Sequence, residues 1–503
     1  MIGLLNRNIM LTTSMRSVQK IKKIKYCILC LILIIVSTCS TCIPVYADEE
    51  EDYLAAAEKR KSIPIESDSI ENWPAGPKIG AESAILMEVN TGTVLYAKNI
   101  NEHLYPASVT KILTALIAME KCDMDEMVTF SSDAINSIDW RTDANLGIAP
   151  GNSITMEQCL YGLLVGSANE VAYAIAEHIS GEGNLTGFAD LMNKRAEELG
   201  CTDSHFVTPN GIHDSNHYTS AHDLALIGQA FFSDELLSRM ASTTKYQVPK
   251  TATQPRDDMI VYAKSKLHRG KEYAYDALVG TKTGYTDYAR QTLISCAEKN
   301  GMRLVCVIMK EESPYQFTDT IDLFNYGFDN FQAVNTSEKD TTYVIQSLNF
   351  FSTSSDFFGS SKPILQMNSK DYIILPVDAD FSDTKSELSY DDLSDNEIAR
   401  VNYYYSDTYV GSASIEPAVE KIASFDFGPR DRTKNKELEE EEVMIVNVKM
   451  IIKGVVIVAI VFIVLFSLKA IIFKGRGSRR RRKNTKKNYK TINTRDLDWK
   501  GFK

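Results

Sequence analysis

Paired cysteines are missing from the part of the chain able to fold. Of nine cysteines, four fall in an apolar leader, which leaves Cys122, Cys159, Cys201, Cys296 and Cys306. An odd number without paired spacing excludes a disulfide framework. Cys296 and Cys306 stand in LISCA and LVCVIM, which read as buried strands where a thiol serves as a small hydrophobe. Positive charge is scarce in the same stretch: residues 48–443 carry 33 basic against 64 acidic residues, a net charge of -31. That excludes a nucleic-acid binder, because phosphate neutralisation needs clustered Lys and Arg. No internal repeat is evident. What remains is ample: 503 residues, 44% hydrophobic and 24% charged, enough for one large domain and a smaller one.

The basic residues are concentrated at the two ends. Residues 1–47 hold six Lys/Arg and no acid. Arg16, Lys20, Lys22, Lys23 and Lys25 precede YCILCLILIIVSTCSTCIPV, which closes on Val45-Tyr46-Ala47. This reads as a secretory signal peptide cleaved after Ala47, with an uncleaved anchor as the alternative. Thr38 and Thr41 precede Cys39 and Cys42 where a lipoprotein site wants smaller residues, so lipidation is not expected. Near the other end, GVVIVAIVFIVLFSL contains no charge, and 450–473 reads as a C-terminal transmembrane helix. The basic tail 474–503 follows it and, by the positive-inside rule, is cytoplasmic. The expected localisation is therefore the cell membrane, with a single span and an extracytoplasmic body.

Between those ends, 48–75 is an acidic lead-in arm. SAILMEV and GTVLYAK meet at Asn90-Thr91-Gly92 and predict a β-hairpin. Helical periodicity follows Pro106 in ASVTKILTALIAMEK and recurs over 153–166, 169–180, 186–200 and 220–233. Strands return over 292–310, joined by Asn300-Gly301, before a helix at DTIDLFNYGFDNF. Strands at both ends of a helical middle predict an α/β (α+β) domain over 76–332, an antiparallel sheet completed by its own two termini and flanked by helices. Residues 336–428 read as a small β-rich domain, with Tyr403, Tyr404 and Tyr405 packing its sheet, and 429–449 as a charged stalk.

Three short groups carry the chemistry: Ser108-Val109-Thr110-Lys111, Ser167-Ala168-Asn169 and Lys282-Thr283-Gly284. Each alone recurs by chance. Together, in this order, they match the S-x-x-K, S-D-N and K-T-G set of class A β-lactamases and penicillin-binding proteins, with Ala168 where the second motif has Asp. The physical reasons are direct. Ser and Lys three apart share a helix face, so an amine reaches a hydroxyl. Pro106 places Ser108 in the first helical turn, where unpaired N–H groups favour developing negative charge. A lysine acts as base only if burial or another cation lowers its pKa, and Lys282 is the candidate cation. Ser167 is placed to relay a proton, and Asn169 offers an amide. Lys282-Thr283-Gly284 is read as opening a strand, with Gly284 admitting a substrate backbone and Lys282 and Thr283 meeting a terminal carboxylate. The backbone N–H groups of Ser108 and Tyr285 are the expected oxyanion donors.

With AILMEVNTGTVLYAKN, LYPASVTK, LLVGSANEVAYAIAEHISG, FVTPNGIHDSNHYTSAHDLALIGQ and KTGYTDYARQTLISCAEKNGMRLVCVIM, roughly 75–330 resembles the serine-type D-alanyl-D-alanine carboxypeptidases, the low-molecular-mass penicillin-binding proteins. The resemblance implies a β-lactamase-like catalytic domain and a following β-rich domain. It implies an acyl-enzyme at Ser108, with Lys111 as base and Ser167 as a catalytic residue. It places Asn169, Lys282, Thr283, Gly284 and Tyr285 on the substrate. It also implies peptidoglycan stem peptide as substrate, β-lactams as covalent inhibitors, a membrane partner and no cofactor. Two departures stand out. Gln316-Phe317 occupies the place of a common arginine, and Ala289-Arg290 that of Ala-Gly, so Arg290 is either a replacement cation or solvated.

His213, His217 and His222 could suggest zinc, but they lie in an Asn/Asp/Ser-rich stretch matching a metal-free family segment, and no metal is expected there. The rival enzyme is a β-lactamase, which needs a deacylating carboxylate; the nearest approach to E-x-x-L-N is Glu182-Gly183-Asn184-Leu185-Thr186, which lacks the final Asn. The rival of another class is a catalytically silent, penicillin-sensing or wall-binding module, which predicts a lost motif residue.

Overall fold

The computed structural model describes residues 46–343 and 365–417, apart from 392 and 395. The expected span 450–473, the stalk, the basic tail, the KIASFDF segment and nearly all of the signal segment lie outside the described residues. Among the described residues no helix is long and apolar enough to cross a membrane.

The lead-in arm contains a helix, α1 (Tyr46–Arg60), and a short 3-10 turn, Glu66–Ser69. The expected hairpin follows: β1 (Ser83–Glu88) pairs antiparallel with β2 (Val94–Lys98). After a 3-10 turn, Ala107–Thr110, comes α2 (Lys111–Lys121), then β3 (Met127–Thr129) and the short α3 (Ser132–Asn136). Next are β4 (Ser153–Thr155), α4 (Met156–Leu164), α5 (Asn169–Ser180), α6 (Leu185–Glu198), α7 (Ala221–Ser233) and α8 (Glu235–Ser242). Local signals set their starts. Thr155 and Gln158 form a reciprocal capping box on α4, and Asn184, Ser220 and Asp234 cap α6, α7 and α8 through their side chains.

After the small ribbon of β5 (Lys245–Gln247) and β6 (Ile260–Tyr262), the sheet resumes with β7 (Leu278–Thr286), β8 (Arg290–Lys299) and β9 (Met302–Glu311). Asn300 and Gly301, both at positive φ, make the β8–β9 turn. The five strands run in the order β2-β1-β9-β8-β7, all neighbours antiparallel. β1 pairs β9 from Ser83 opposite Met309 to Glu88 opposite Leu304, so the sheet is closed by its two chain ends, as the hydrophobic pattern predicts.

Strand alternation divides the core between the two faces. Ile85, Met87, Val305 and Val307 meet the helical layer of α2, α4, α5 and α7, whereas Leu86, Leu304, Cys306 and Ile308 join a second cluster with α9 (Tyr315–Asn330). Gly327 lets α9 approach closely: a Cβ there would lie 2.6 Å from Leu304 Cδ1 and 2.7 Å from Leu86 Cδ2. The second cluster continues into the β-rich region. There β10 (Phe331–Asn335) leads into the short α10 (Thr336–Lys339), and β11 (Leu365–Met367) precedes β12 (Tyr372–Pro376), the partner of β10. β13 (Lys385–Ser389), β14 (Ala399–Tyr405) and β15 (Thr408–Pro417) complete a sheet in the order β11-β15-β14-β13. Tyr403 and Tyr405 are buried in that packing, whereas Tyr404, expected to pack with them, alternates to the other face of the strand and is only partly buried.

Candidate active site

The three motifs converge. Ser108 lies in the first helical turn after Pro106, as expected, but that turn is a 3-10 turn running directly into α2. The reason is tertiary. Ala107 is held at φ 50°, and a side chain on Gly211 would put its Cβ 1.9 Å from Ala107 O, so the Pro209-Asn210-Gly211 loop presses directly on the turn. His217 fastens it from behind. Its Nδ1 accepts from Val207 N at 2.9 Å, which leaves Nε2–H to donate to Thr110 Oγ1 at 2.9 Å, and Thr110 Oγ1 donates to Ala107 O at 2.8 Å. Burial holds the His217 pKa down at about 4, so the imidazole stays neutral and keeps this role.

Lys111 opens α2, and its amine is buried at the centre of the site. Nζ lies 2.8 Å from Ser108 Oγ, 2.7 Å from Asn169 Oδ1 and 2.7 Å from Asn210 O. Burial first, then the charges of Lys282 and Lys264, push its pKa well below the usual lysine value. A neutral amine has two N–H groups and one lone pair. The two carbonyl oxygens take the N–H groups, and the lone pair is left facing the Ser108 hydroxyl.

Asn169 opens α5, where it receives Lys111. Its neighbour Glu170 is buried and accepts from Leu146 N at 2.6 Å and Gly147 N at 3.1 Å through Oε1, fixing the loop that carries Thr142, Asp143 and Ala144 to the cleft. Ala168 is fully buried, where an aspartate would need its own partners. Ser167, at φ 59°, turns its hydroxyl towards the third motif: Lys282 Nζ donates to Ser167 Oγ at 2.8 Å and to Thr283 O at 2.7 Å. Burial, with the charge of Lys264, lowers the Lys282 pKa to about 7.

Lys282 sits mid-way along β7 rather than at its start. Gly284 carries a different constraint from the one expected. A Cβ there would lie 2.2 Å from Thr292 Oγ1, 2.9 Å from Ser108 N and 3.0 Å from Pro106 O, so the missing side chain admits the chain's own Ser108 turn against β7. Thr292 Oγ1 donates to Pro106 O at 2.9 Å and closes that contact. A cleft of about 380 Å³ opens over these groups, lined among others by Ser108, Ser167, Asn169, Thr283, Gly284 and Tyr285.

Gln291, Gln316 and Phe317 line the same cleft. The side-chain amides of Gln316 and Gln291 approach to 3.2 Å, a neutral pair. Arg290 is neither a replacement cation in the cleft nor solvated. Its guanidinium is paired to Glu312 at 2.7 Å and covers the ring of Tyr53 at 3.7 Å, which corrects both expected readings. His213 stacks on Tyr288 and His222 contacts Asp223, so the three histidines hold separate places. The residues that the sequence reading did not assign are Asn210, Glu170, Lys264, Gln291 and Thr292. Asn210 had a visible signal in its Pro-Asn-Gly turn. Lys264, which lines the cleft and lowers the pKa of both buried amines, stands in an unremarkable AKSK stretch.

The family model described as D-alanyl-D-alanine carboxypeptidase matches residues 70–313, the stretch holding all three motifs. The D-alanyl-D-alanine carboxypeptidase DacB2 of Mycobacterium tuberculosis is 30% identical over 262 residues, covering 51% of this chain and 84% of that relative. The chain belongs to the D-alanyl-D-alanine carboxypeptidase family. A further member, DacF of Bacillus subtilis, is 32% identical over 237 residues, covering 46% of this chain and 58% of its own length. Among solved structures, the Streptomyces K15 DD-transpeptidase is 26% identical, covers 51% of this chain and 100% of its own, and gives a TM-score of 0.48.

Proposed function

We propose that the protein is a serine D-Ala-D-Ala carboxypeptidase that removes the terminal D-alanine from peptidoglycan stem pentapeptides and is acylated by β-lactams. The observation that carries this reading is the placement of a buried, charge-depressed Lys111 amine 2.8 Å from Ser108 Oγ, with its other bonding positions occupied.

Lys111 takes the proton as Ser108 Oγ attacks the penultimate D-Ala carbonyl. The N–H groups of Ser108 and Tyr285 receive the oxyanion, and Asn169 holds the substrate amide. The proton taken by Lys111 returns through the Ser167 hydroxyl, bonded to Lys282, to the departing D-Ala amine, so both Lys111 and Ser167 regain their starting protonation. The bond broken is the terminal peptide bond and the bond formed is the Ser108 ester, which water then hydrolyses. Lys282 and Thr283 receive the terminal carboxylate. With Arg290 committed to Glu312, the Lys282 charge carries that task beside the neutral Gln291–Gln316 pair.

The basic-flanked apolar segments within 1–47 and 450–473, read as a signal sequence and a membrane span, support an extracytoplasmic body tethered to the cytoplasmic membrane, where a fixed polymer substrate lies. The β-lactamase reading needs an activated deacylating water. Glu170, the carboxylate beside the second motif, has one oxygen committed to Leu146 and Gly147. The silent-module reading needs a missing motif residue, and Ser108, Lys111, Ser167, Asn169 and Lys282 are all present. Release of free D-alanine from a D-Ala-D-Ala peptide tests the proposal. The protein is expected to release it, and its Ser108→Ala variant to fall to background; equal release by both overturns the reading.

A further inference from the structure

The two helices that carry Lys111 and Asn169 also meet at their opposite ends. α2 begins with Lys111, and Cys122 is the residue that ends it. α5 begins with Asn169, and His178 stands in its last turn. They contain 11 and 12 residues, so each spans roughly 16–18 Å from the catalytic cleft to this second junction. There the Cys122 Sγ, a His178 ring nitrogen and a Glu126 carboxylate oxygen all lie within 4.8 Å of one another. His178 Nε2 is 2.8 Å from Glu126 Oε2, while Glu126 Oε1 accepts from Asp123 N at 2.7 Å, which fixes the carboxylate.

From these residues we infer a zinc site, formed by Cys122, His178 and Glu126, that staples the far ends of the two catalytic helices. Sulfur, imidazole nitrogen and carboxylate oxygen are the three donor types that Zn²⁺ takes, and three protein ligands leave a fourth tetrahedral position for water. That position is reachable, because the His178 and Glu126 side chains are 24% and 41% exposed. Two helix C-termini converge on the junction, and their partial negative charge favours a cation there. The ion takes the place of the His178–Glu126 hydrogen bond, the imidazole binds in its neutral form, and the Cys122 thiol releases its proton to solvent as it binds.

The junction lies at the opposite helix ends from Ser108, so its role is to hold α2 and α5 in register while Lys111 and Asn169 keep their 2.7 Å contact. His178 and Glu126 already form a pair without an ion, and a surface hydrogen bond alone is the competing account.

The test uses untagged protein stripped with a chelator and titrated with Zn²⁺, then with Co²⁺ as a spectroscopic probe. The inference expects one saturable equivalent of zinc, a thiolate-to-cobalt charge-transfer band, and a thermal midpoint that rises when zinc is added. Cys122→Ser should abolish the band, and His178→Gln should weaken zinc binding at least tenfold. Circular dichroism checks that each variant is folded. Absence of saturable binding to the wild type, or binding that folded Cys122→Ser and His178→Gln leave unchanged, overturns the inference.

Discussion

Two buried amines set the chemistry of this protein residue by residue. Burial and two neighbouring cations push the Lys111 pKa well below the usual lysine value, while Lys282, with a pKa of about 7, holds its proton below that pH and loses it above. If charged Lys282 receives the terminal carboxylate, kcat/KM for a D-Ala-D-Ala peptide should fall as the pH rises past about 7, by up to tenfold per unit. Lys282→Arg keeps the charge and should remove that alkaline fall from the pH profile. An unchanged alkaline limb in the variant would refute the assignment. The motif residues were legible in the sequence because Ser-x-x-Lys is a local spacing and three weak matches in order reinforce one another. Lys264 was not, because it reaches the cleft only through tertiary folding, and the Pro-Asn-Gly turn marked Asn210 without showing that its backbone carbonyl meets Lys111.

Among the elements, the contact of β7 with the nucleophile turn decides whether those residues are aligned. Gly284 leaves room for Ser108 N and Thr292 Oγ1, and Gly211 does the same for Ala107 O from the other side. Gly284→Ala should therefore displace the turn and lower kcat/KM by about 100-fold, the effect of a misplacement near 1 Å. Steady-state kinetics beside a thermal melt checks this: activity within a few-fold of wild type would show that the turn tolerates the methyl group. Periodicity placed most helices and strands within a few residues, and the Asn90-Thr91-Gly92 and Asn300-Gly301 turns were legible because Gly92, Asn300 and Gly301 take the positive φ that favours Gly and Asn. The 3-10 turn at Ser108 was not legible. It is imposed by the 209–211 loop, by His217 and by β7, each far away along the chain.

Taken whole, the chain reads as an antiparallel sheet closed by its own ends, and the alternation of β1 and β9 carried that message. Hidden from sequence was a pair of buried carboxyl groups, Glu311 at the end of β9 and Asp319 on α9, beside Lys98, whose amine donates to Ile79 O and Ala81 O. Burial and the Asp319 charge push Glu311 up to about 9. The folded protein thus holds a proton that the unfolded chain releases above about pH 4.5, so this group's stabilisation is complete below that pH and is lost as pH rises towards 9. Glu311→Gln, a neutral mimic, should flatten the fall in unfolding free energy between pH 5 and 9, by roughly 1 kcal/mol per pH unit relative to wild type. Parallel slopes in chemical denaturation would contradict it. The central claim, that sequence-distant motifs form one acylating centre on Ser108, is tested most directly by peptide mapping after incubation with penicillin. A single covalent adduct is expected on the peptide containing Ser108, absent from Ser108→Ala and strongly slowed in Lys111→Ala. An adduct on another peptide, or one that persists in Ser108→Ala, would contradict it.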